Sequence, residues 1–350
     1  MADTILVTGG AGYIGSHACL ALLEAGCEVI ALDNLVNASE ESLRRVQELA
    51  GKALRFEKLD LLNAPALEAL IKQTQPDAVI HFAGLKAVGE SVAIPLTYYA
   101  NNLTGTLNLL QALQQQGTRK LVFSSTATVY GPPDKNPVNE TAPIRPTNPY
   151  GQCKAMIEQM LRDAHVADPS WNIALLRYFN PVGAHPSGRI GEDPLGIPNN
   201  LMPFIGQVAT GRQPLLKIFG DDYPTPDGTG VRDYLHVMDL VEGHLAALEH
   251  LANEPGCVTY NLGTGTGHSV LEMVSAFEKA AGIELHQETV GRRAGDVAEL
   301  RADPSLANDE LGWQARRGLD EMCRDTWLWL SNNPAGYNDD EEPDQKHALQ

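Results

Sequence analysis

The sequence predicts an α/β fold: a doubly wound parallel sheet with a smaller C-terminal α/β lobe. Two observations carry that prediction. Short β-branched runs alternate with amphipathic helical stretches through the first half, and parallel strands need crossovers of the kind helices supply. Near Pro181 the alternation stops, and residues 181–200 turn rich in Gly, Pro and Asn.

The strands expected from apolar, β-branched runs are Thr4 to Thr8, Glu28 to Asp33, Leu54 to Asp60, Ala78 to Ala83, Lys120 to Ser125 and Asn172 to Tyr178. Helical spacing fills the gaps at Gly15 to Glu24, Glu40 to Leu49, Ala66 to Gln73, Leu103 to Gln115 and Tyr150 to Ala164. Residues 1–180 are therefore expected to form the doubly wound domain and 181–335 a second lobe. That lobe reads as a helix at Leu201 to Thr210, a strand at Leu216 to Phe219, a loop through Gly230, and helices at Val237 to His250, Ser269 to Ala280 and Gly318 to Leu330. Residues 336–350 carry Asp339, Asp340, Glu341, Glu342 and Asp344 against Lys346 alone, which predicts a solvated, mobile tail.

Composition narrows the function. With 26 basic and 44 acidic residues among 350, the net charge is −18. Such a chain repels nucleic acid and anionic membrane surfaces, so neither is an expected partner, and an anionic small substrate must be met by a local basic pocket. The cysteines Cys19, Cys27, Cys153, Cys257 and Cys323 are scattered and odd in number, which fits free thiols in a reducing compartment and gives no metal site. Met1 leads directly into the first strand and no apolar run approaches the ~18 residues of a spanning helix, so a cytoplasmic location is expected.

The first strand is followed by Gly9, Gly12 and Gly15 at a spacing of three and three. Glycines there allow a tight turn, close approach of the backbone to a pyrophosphate, and tight packing of a helix whose N-terminus faces the anion. The second strand ends in Asp33, 18 residues after Gly15, where a carboxylate accepts both ribose hydroxyls and repels a 2′-phosphate. The pair favours NAD over NADP. Asp60, ending the third strand, is a candidate for the adenine amino group or simply a turn residue. After the fourth strand, Phe82, Ala83 and Gly84 allow close cofactor approach, and Lys86 is either a phosphate ligand or a surface lysine.

The fifth strand ends in a Ser/Thr-rich run through Thr126, and Tyr150 and Lys154 open the next predicted helix. Four residues at 100° each bring Lys154 to within about 40° of Tyr150, on one face. A neighbouring cation favours phenolate and lowers a tyrosine from its usual ~10. Tyr150 then suits a general base, with Thr126 sharing the substrate proton through its hydroxyl.

The glycine turn and the Tyr150–Lys154 pair resemble the extended short-chain dehydrogenase/reductase superfamily, whose sheet is of the Rossmann type. Longer irregular runs at Phe82 to Ser91, Ala174 to Gly188, Gly196 to Pro203 and Asp227 to Tyr234 resemble, within it, the UDP-glucose 4-epimerase family. The resemblance covers residues 3 to 335. It implies NAD contacts from Gly9, Gly12, Tyr13, Ile14, Gly15, Asp33, Asn34, Asn37, Asp60, Leu61, Phe82, Ala83, Gly84, Lys86, Asn101, Tyr150, Lys154 and Phe179. It places a UDP-sugar on Lys86, Thr126, Tyr150, Asn180, Asn200, Leu201, Arg232, Tyr234, Arg293, Asp296 and Leu300. Arg232 and Arg293 supply the positive charge that a −18 chain needs to hold a diphosphate, unless they serve exposed ion pairs such as Arg232 with Asp233. The resemblance also implies a homodimer through the helices at Leu103 to Gln115 and Tyr150 to Ala164.

Two positions depart from the family pattern: Thr126 stands where a serine is usual, and Leu300 where bacterial members often have a tyrosine. The activity implied is inversion of C4 in a UDP-hexose through a transient 4-ketose, with the hydride lent to NAD and returned, as in galactose metabolism. A 4,6-dehydratase needs an acid pair after the catalytic threonine, and Ala127 and Thr128 do not supply one. A nucleotide-sugar decarboxylase fits the long runs poorly. A non-catalytic NAD sensor has no need of Tyr150, Lys154 and the Thr126 hydroxyl together.

Overall fold

The computed structural model describes residues 3–196, 198–293 and 295–337. In chain order the first half runs β1 (Thr4–Thr8), α1 (Tyr13–Glu24), β2 (Glu28–Asp33), α2 (Glu40–Ala50), β3 (Arg55–Lys58), α3 (Ala64–Thr74), β4 (Ala78–His81), α4 (Val88–Ala93), α5 (Pro95–Gln116), β5 (Lys120–Thr126), α6 (Pro149–Ala167) and β6 (Asn172–Tyr178). All six strands expected from the sequence form, and a seventh, Cys257–Leu262, joins them in the order Cys257–Leu262, β6, β5, β4, β1, β2, β3. Every pairing is parallel. The chain reverses direction across the sheet between β1 and β4, which opens a crevice at their carboxyl ends.

Strand periodicity divides the core between two layers. Ile5 and Val7 face the layer of α1 and α2 with Leu20, Leu23 and Val46, while Leu6 faces Leu67, Leu109, Leu113 and Ile157 on the other side. Burying each such side chain contributes roughly 1.5–3 kcal/mol. Local chemistry sets the helix ends. The Ser39 hydroxyl accepts the Glu41 amide at the start of α2, and Gly51 ends that helix in the left-handed region at φ 62°. Asn148 accepts the Gly151 amide at 2.9 Å and Pro149 occupies the first turn of α6, which fixes where Tyr150 sits. Helix α5 starts at Pro95, eight residues before the expected Leu103. Its first turns are anchored by Tyr98, fully buried, whose hydroxyl accepts the Ala87 amide at 3.0 Å.

Beyond β6 come β7 (Asn180–Val182), α7 (Leu201–Ala209), β8 (Leu216–Phe219), β9 (Val231–Arg232), β10 (Tyr234–His236), α8 (Val237–His250), β11 (Cys257–Leu262), β12 (His268–Ser269), α9 (Val270–Ala281), β13 (Gln287–Val290), β14 (Glu299–Leu300), α10 (Ser305–Leu311) and α11 (Leu319–Asn332). Three small sheets, β7 with β10, β8 with β13, and β9 between β12 and β14, build the sides of the second region. Its own core gathers Met202, Ile205, Ile218, Val274, Phe277 and Met322. Strand β11 and helix α8 return to the main sheet from beyond residue 181, a crossing that the change in composition does not announce.

Most of the acidic tail expected at 336–350 lies outside the described residues. Gly336 and Tyr337 are described and packed: the Tyr337 ring meets Trp329 at 4.8 Å, and its hydroxyl donates to the Gly191 carbonyl at 3.1 Å. Arg45 of α2, nearly buried, lies over both rings and donates to Asn333 at 2.5 Å, clasping the end of α11 to the first half of the chain.

Candidate active site

The glycine turn is shaped by what each position excludes. A Cβ on Gly15 would stand 2.0 Å from the Gly9 carbonyl oxygen, and one on Gly9, at φ 71°, would stand 2.8 Å from the Ala83 nitrogen. The backbone is thus free to approach a pyrophosphate where the N-terminus of α1 opens, with no acidic side chain in its first turn. Tyr13 and Ile14 begin that helix. Asp33 ends β2 with one oxygen on the Ala11 amide at 3.1 Å and the other on the Leu35 amide at 2.9 Å. Burial pushes its pKa up, and the amides of Leu35 and Ala11 work to lower it.

Asp60 accepts the Asn34 amide group on one oxygen at 3.0 Å and the Leu62 backbone on the other at 2.8 Å. Asn34, Val36, Lys58, Leu59 and Asp60 line an open concavity at the β2–β3 edge. Leu61 is almost buried beneath it. Asn37 accepts the Leu195 amide at 3.4 Å. Phe82 lies on the imidazole of His244 at 4.8 Å, and Asn102 grips both backbone groups of Leu85, at 2.8 and 3.0 Å, so the stretch Phe82, Ala83, Gly84 is held from behind. Asn101 donates to that same Asn102 oxygen. Lys86 is half exposed and donates to Glu192 at 2.9 Å, and the Glu192 carboxylate is the leading cause that raises its pKa.

Tyr150 and Lys154 share the buried face of α6 that their spacing predicts, and the Thr126 hydroxyl of β5 hydrogen-bonds with Tyr150. Tyr150 and Lys154 are 7% and 5% exposed, on the face of α6 turned to β5. The electrostatics differ from expectation. Burial pushes the Tyr150 phenol well above the ordinary tyrosine range, opposed by the Thr126 hydroxyl and reinforced by Tyr178. Lys154, itself pushed down to about 8 by burial, donates to the Ser124 carbonyl at 2.8 Å and lies over the Phe123 ring at 4.7 Å. The protein alone therefore does not make Tyr150 acidic, because dehydration outweighs the Thr126 hydrogen bond. Thr126 donates to Thr128 at 3.0 Å and sits opposite Tyr178 in the β5–β6 register.

At the far end, Arg232 and Arg293 converge on Asp296, at 3.9 and 3.2 Å. The alternative pairing of Arg232 with Asp233 does not form. Asp233 is turned inward and accepts from the Thr264, Gly265 and Ala302 amides at 2.9, 2.9 and 3.1 Å. Leu300 pairs in register with Arg232 and packs against the cluster of Ala127 and Phe179. Asn180 is half-buried on β7, and Asn200 and the half-buried Leu201 open α7, with Asn200 exposed. Tyr234 on β10 is buried at 3% exposure, and its ring packs in the second core.

Four residues of the site escaped the sequence reading: Ser124, Tyr178, Glu192 and Phe219. Phe219 is 40% exposed with the Arg293 guanidinium 5.3 Å from its ring centre. An apolar side chain left open on the outward-facing end of a strand was the signal available for it.

Residues 5–263 match the family described as the NAD dependent epimerase/dehydratase family. The chain is 61% identical over 333 residues to UDP-glucose 4-epimerase of Bacillus subtilis (strain 168), spanning 95% of this chain and 98% of that one. It is similar to the crystal structure of UDP-glucose 4-epimerase from Bifidobacterium longum in complex with NAD+ and UDP, with a TM-score of 0.92, 51% identity, and coverage of 95% and 100% of the two chains. It is also similar to the UDP-Glc/GlcNAc 4-epimerase of Campylobacter jejuni, with a TM-score of 0.83, 39% identity, and coverage of 94% and 99%.

Proposed function

The chain belongs to the NAD dependent epimerase/dehydratase family, and from that premise we propose that it inverts C4 of UDP-glucose and UDP-galactose through a 4-keto sugar. The observation that carries the reading is the buried Tyr150–Lys154 face of α6 set against Thr126 at the carboxyl edge of the parallel sheet. The glycine turn and Asp33 fit NAD, since a Cβ at Gly9 or Gly15 would close the cradle and the carboxylate stands where a ribose diol needs an acceptor. Bound as NAD+, the cofactor carries a positive charge, takes up a hydride and gives it back.

The chain's own residues handle the proton and the substrate's orientation. Tyr150 as phenolate accepts the proton of the 4-hydroxyl as the C4–H bond breaks, leaving a carbonyl at C4. Thr126, already placed to favour phenolate, relays that proton. Lys154 keeps positive charge beside the phenol. Arg232 and Arg293 hold the diphosphate, and the open Phe219 ring beside them suits a flat base. With the diphosphate fixed, the keto sugar can turn about its link and present its other face, and Tyr150 then returns the proton to the oxygen at C4. Leu300, beside Phe179 and Ala127, leaves more room than a tyrosine, which supports turnover of UDP-N-acetylhexosamines as well.

We read residues 1–180 as the cofactor half and 181–335 as the sugar half, with β11 returning to the first, and the chain as a homodimer. Leu96 and Leu107 on α5 and Met156 on the adjacent α6 are exposed at 80%, 44% and 41%, an apolar face that fits a second copy. No helix among the described residues is long and apolar enough to cross a membrane, and we read the chain as a cytoplasmic sugar-nucleotide enzyme from its kinship with UDP-glucose 4-epimerases. Incubation with UDP-galactose and identification of the product sugar tests the activity: UDP-glucose is expected, and a 4-keto-6-deoxy sugar or no conversion overturns it.

A further inference from the structure

Glu158 continues a line on α6. It follows Lys154 by four residues as Lys154 follows Tyr150, so the three side chains stack on one face. Glu158 is the most deeply placed, at 1% exposure. Its Oε1 accepts the Ser125 hydroxyl at 2.6 Å and Arg177 Nε at 2.9 Å; its Oε2 accepts Arg177 Nη2 at 2.6 Å and Arg162 at 3.0 Å. Ser125 and Arg177 are register partners across β5 and β6. One carboxylate thus grips the two strands one residue before Thr126 and Tyr178, the residues that act on the Tyr150 phenol from the sheet.

A buried ion pair is weak evidence for stability, since apolar residues of equal volume often serve as well. What they lack is direction and charge. Three of the four hydrogen bonds, one to Ser125 of β5 and two to Arg177 of β6, set how far α6 can slide along these strands, and the anion stands one helical turn from the Lys154 ammonium. We propose that Glu158 is a positioning residue for the epimerisation, fixing the Tyr150–Lys154 face against Thr126 and balancing the charge of Lys154. This rests on the reading of Tyr150 and Lys154 as the proton-handling pair.

The groups facing the two ions are few. Lys154 meets Cys153 and Glu158 from its own helix, His81 from β4, and the Ser124 carbonyl and Phe123 ring from β5. Glu158 meets Arg162 from its own helix, Arg177 from β6, Tyr130 from the turn after β5, and Cys257 from β11. Burial works to raise the Glu158 carboxyl, and Arg177 overrides it and holds the group ionised. That anion raises the pKa of Lys154, which burial and Cys153 also move.

Kinetics of Glu158→Gln and Glu158→Asp with UDP-galactose, measured from pH 6 to 10, test the proposal. In Glu158→Gln, kcat is expected to fall about 10- to 100-fold with KM within about twofold, as for a site displaced by a fraction of an ångström. The alkaline limb of kcat is expected to move down by about half a pH unit or more, because Lys154 loses its anion. Glu158→Asp keeps the charge and is expected to restore the limb, with part of kcat. A folded Glu158→Gln protein with unchanged kcat and an unmoved limb overturns the proposal. Should that variant not fold, Ser125→Ala removes only the bond to β5; kcat falling about threefold or more at constant KM supports the proposal, and unchanged kcat overturns it. A wild-type chain that leaves UDP-galactose untouched overturns the functional reading, whereas active wild type beside unaffected variants overturns this inference alone.

Discussion

The Tyr13 phenol donates to the Gly183 carbonyl at 2.6 Å, joining positions 170 residues apart. It ties the first residue of α1, at the glycine turn, to the residue after β7, the strand that carries Asn180. The turn proposed to hold the cofactor is therefore hydrogen-bonded to the segment that follows the strand of Asn180.

NAD(H) is accordingly expected to remain with the purified protein and to be recovered by denaturing it. Tyr13→Phe removes one hydrogen bond, worth about 1 kcal/mol, so cofactor retention on dilution should weaken roughly fivefold. Recovery of NADP alone, or a need for stoichiometric added NAD, would falsify the cofactor assignment.

Tyr150→Phe should lose about 10²- to 10⁴-fold in turnover, the usual contribution of a general acid–base group. Thr126→Ser keeps the hydroxyl and should lose far less. Equal losses in the two variants mean that the base is assigned wrongly.

Leu300 pairs with Arg232 and packs beside Phe179. UDP-N-acetylglucosamine should be turned over measurably but more slowly than UDP-galactose. In Leu300→Tyr that activity should vanish while UDP-galactose turnover is largely kept. Wild-type protein that ignores the N-acetylated sugar while equilibrating UDP-galactose removes Leu300 from this role.

His17 and His81 are buried and held at about 3, and His244 at about 4, in each case mainly by dehydration. Their folded pKa values lie below the unfolded ~6.5, so the unfolded chain binds more protons between pH 6.5 and 4. Stability therefore falls on acidification, starting near pH 6.5, by about 1.4 kcal/mol per histidine per pH unit at most. His244→Phe removes one such group, along with a buried Nε2 that has no hydrogen-bond partner. Its melting temperature should decline less steeply with acid than the wild type's; an identical slope counts against the assignment.

The exposed Leu107 and Met156 lie on the face proposed for a second copy. Leu107→Glu with Met156→Glu should halve the mass measured by light scattering. A wild-type monomer, or a double variant that stays dimeric, excludes this face.

The parallel sheet and the Tyr150–Lys154 face were legible because period-2 and period-3.6 patterns and an i, i+4 spacing are local. The early turns of α5 were not, because β-branched Thr97 and the aromatic Tyr98 and Tyr99 carry no local helical signal, and the burial of Tyr98 beneath Ala87 is set by the fold. Strands β9, β12 and β14 have two residues each, too few to show a period. The pKa of Tyr150 was misjudged from spacing alone, since burial is a property of everything packed around it. Glu158 was within reach: it repeats the spacing of the pair by one more turn, but only the fold shows that Ser125 and Arg177 meet there.

Strand β11 also bears on how the chain is made. Its pairing with β6 joins Cys257 to Ile173 and Leu262 to Tyr178, so during synthesis the sheet cannot gain its last strand until Leu262 has left the ribosome. Until then β6 is a bare edge, buried along nearly its whole length in the finished protein, and such edges recruit other chains. A nascent or truncated chain that stops near residue 180 is therefore prone to aggregate through β6, however complete its nucleotide-binding motifs are.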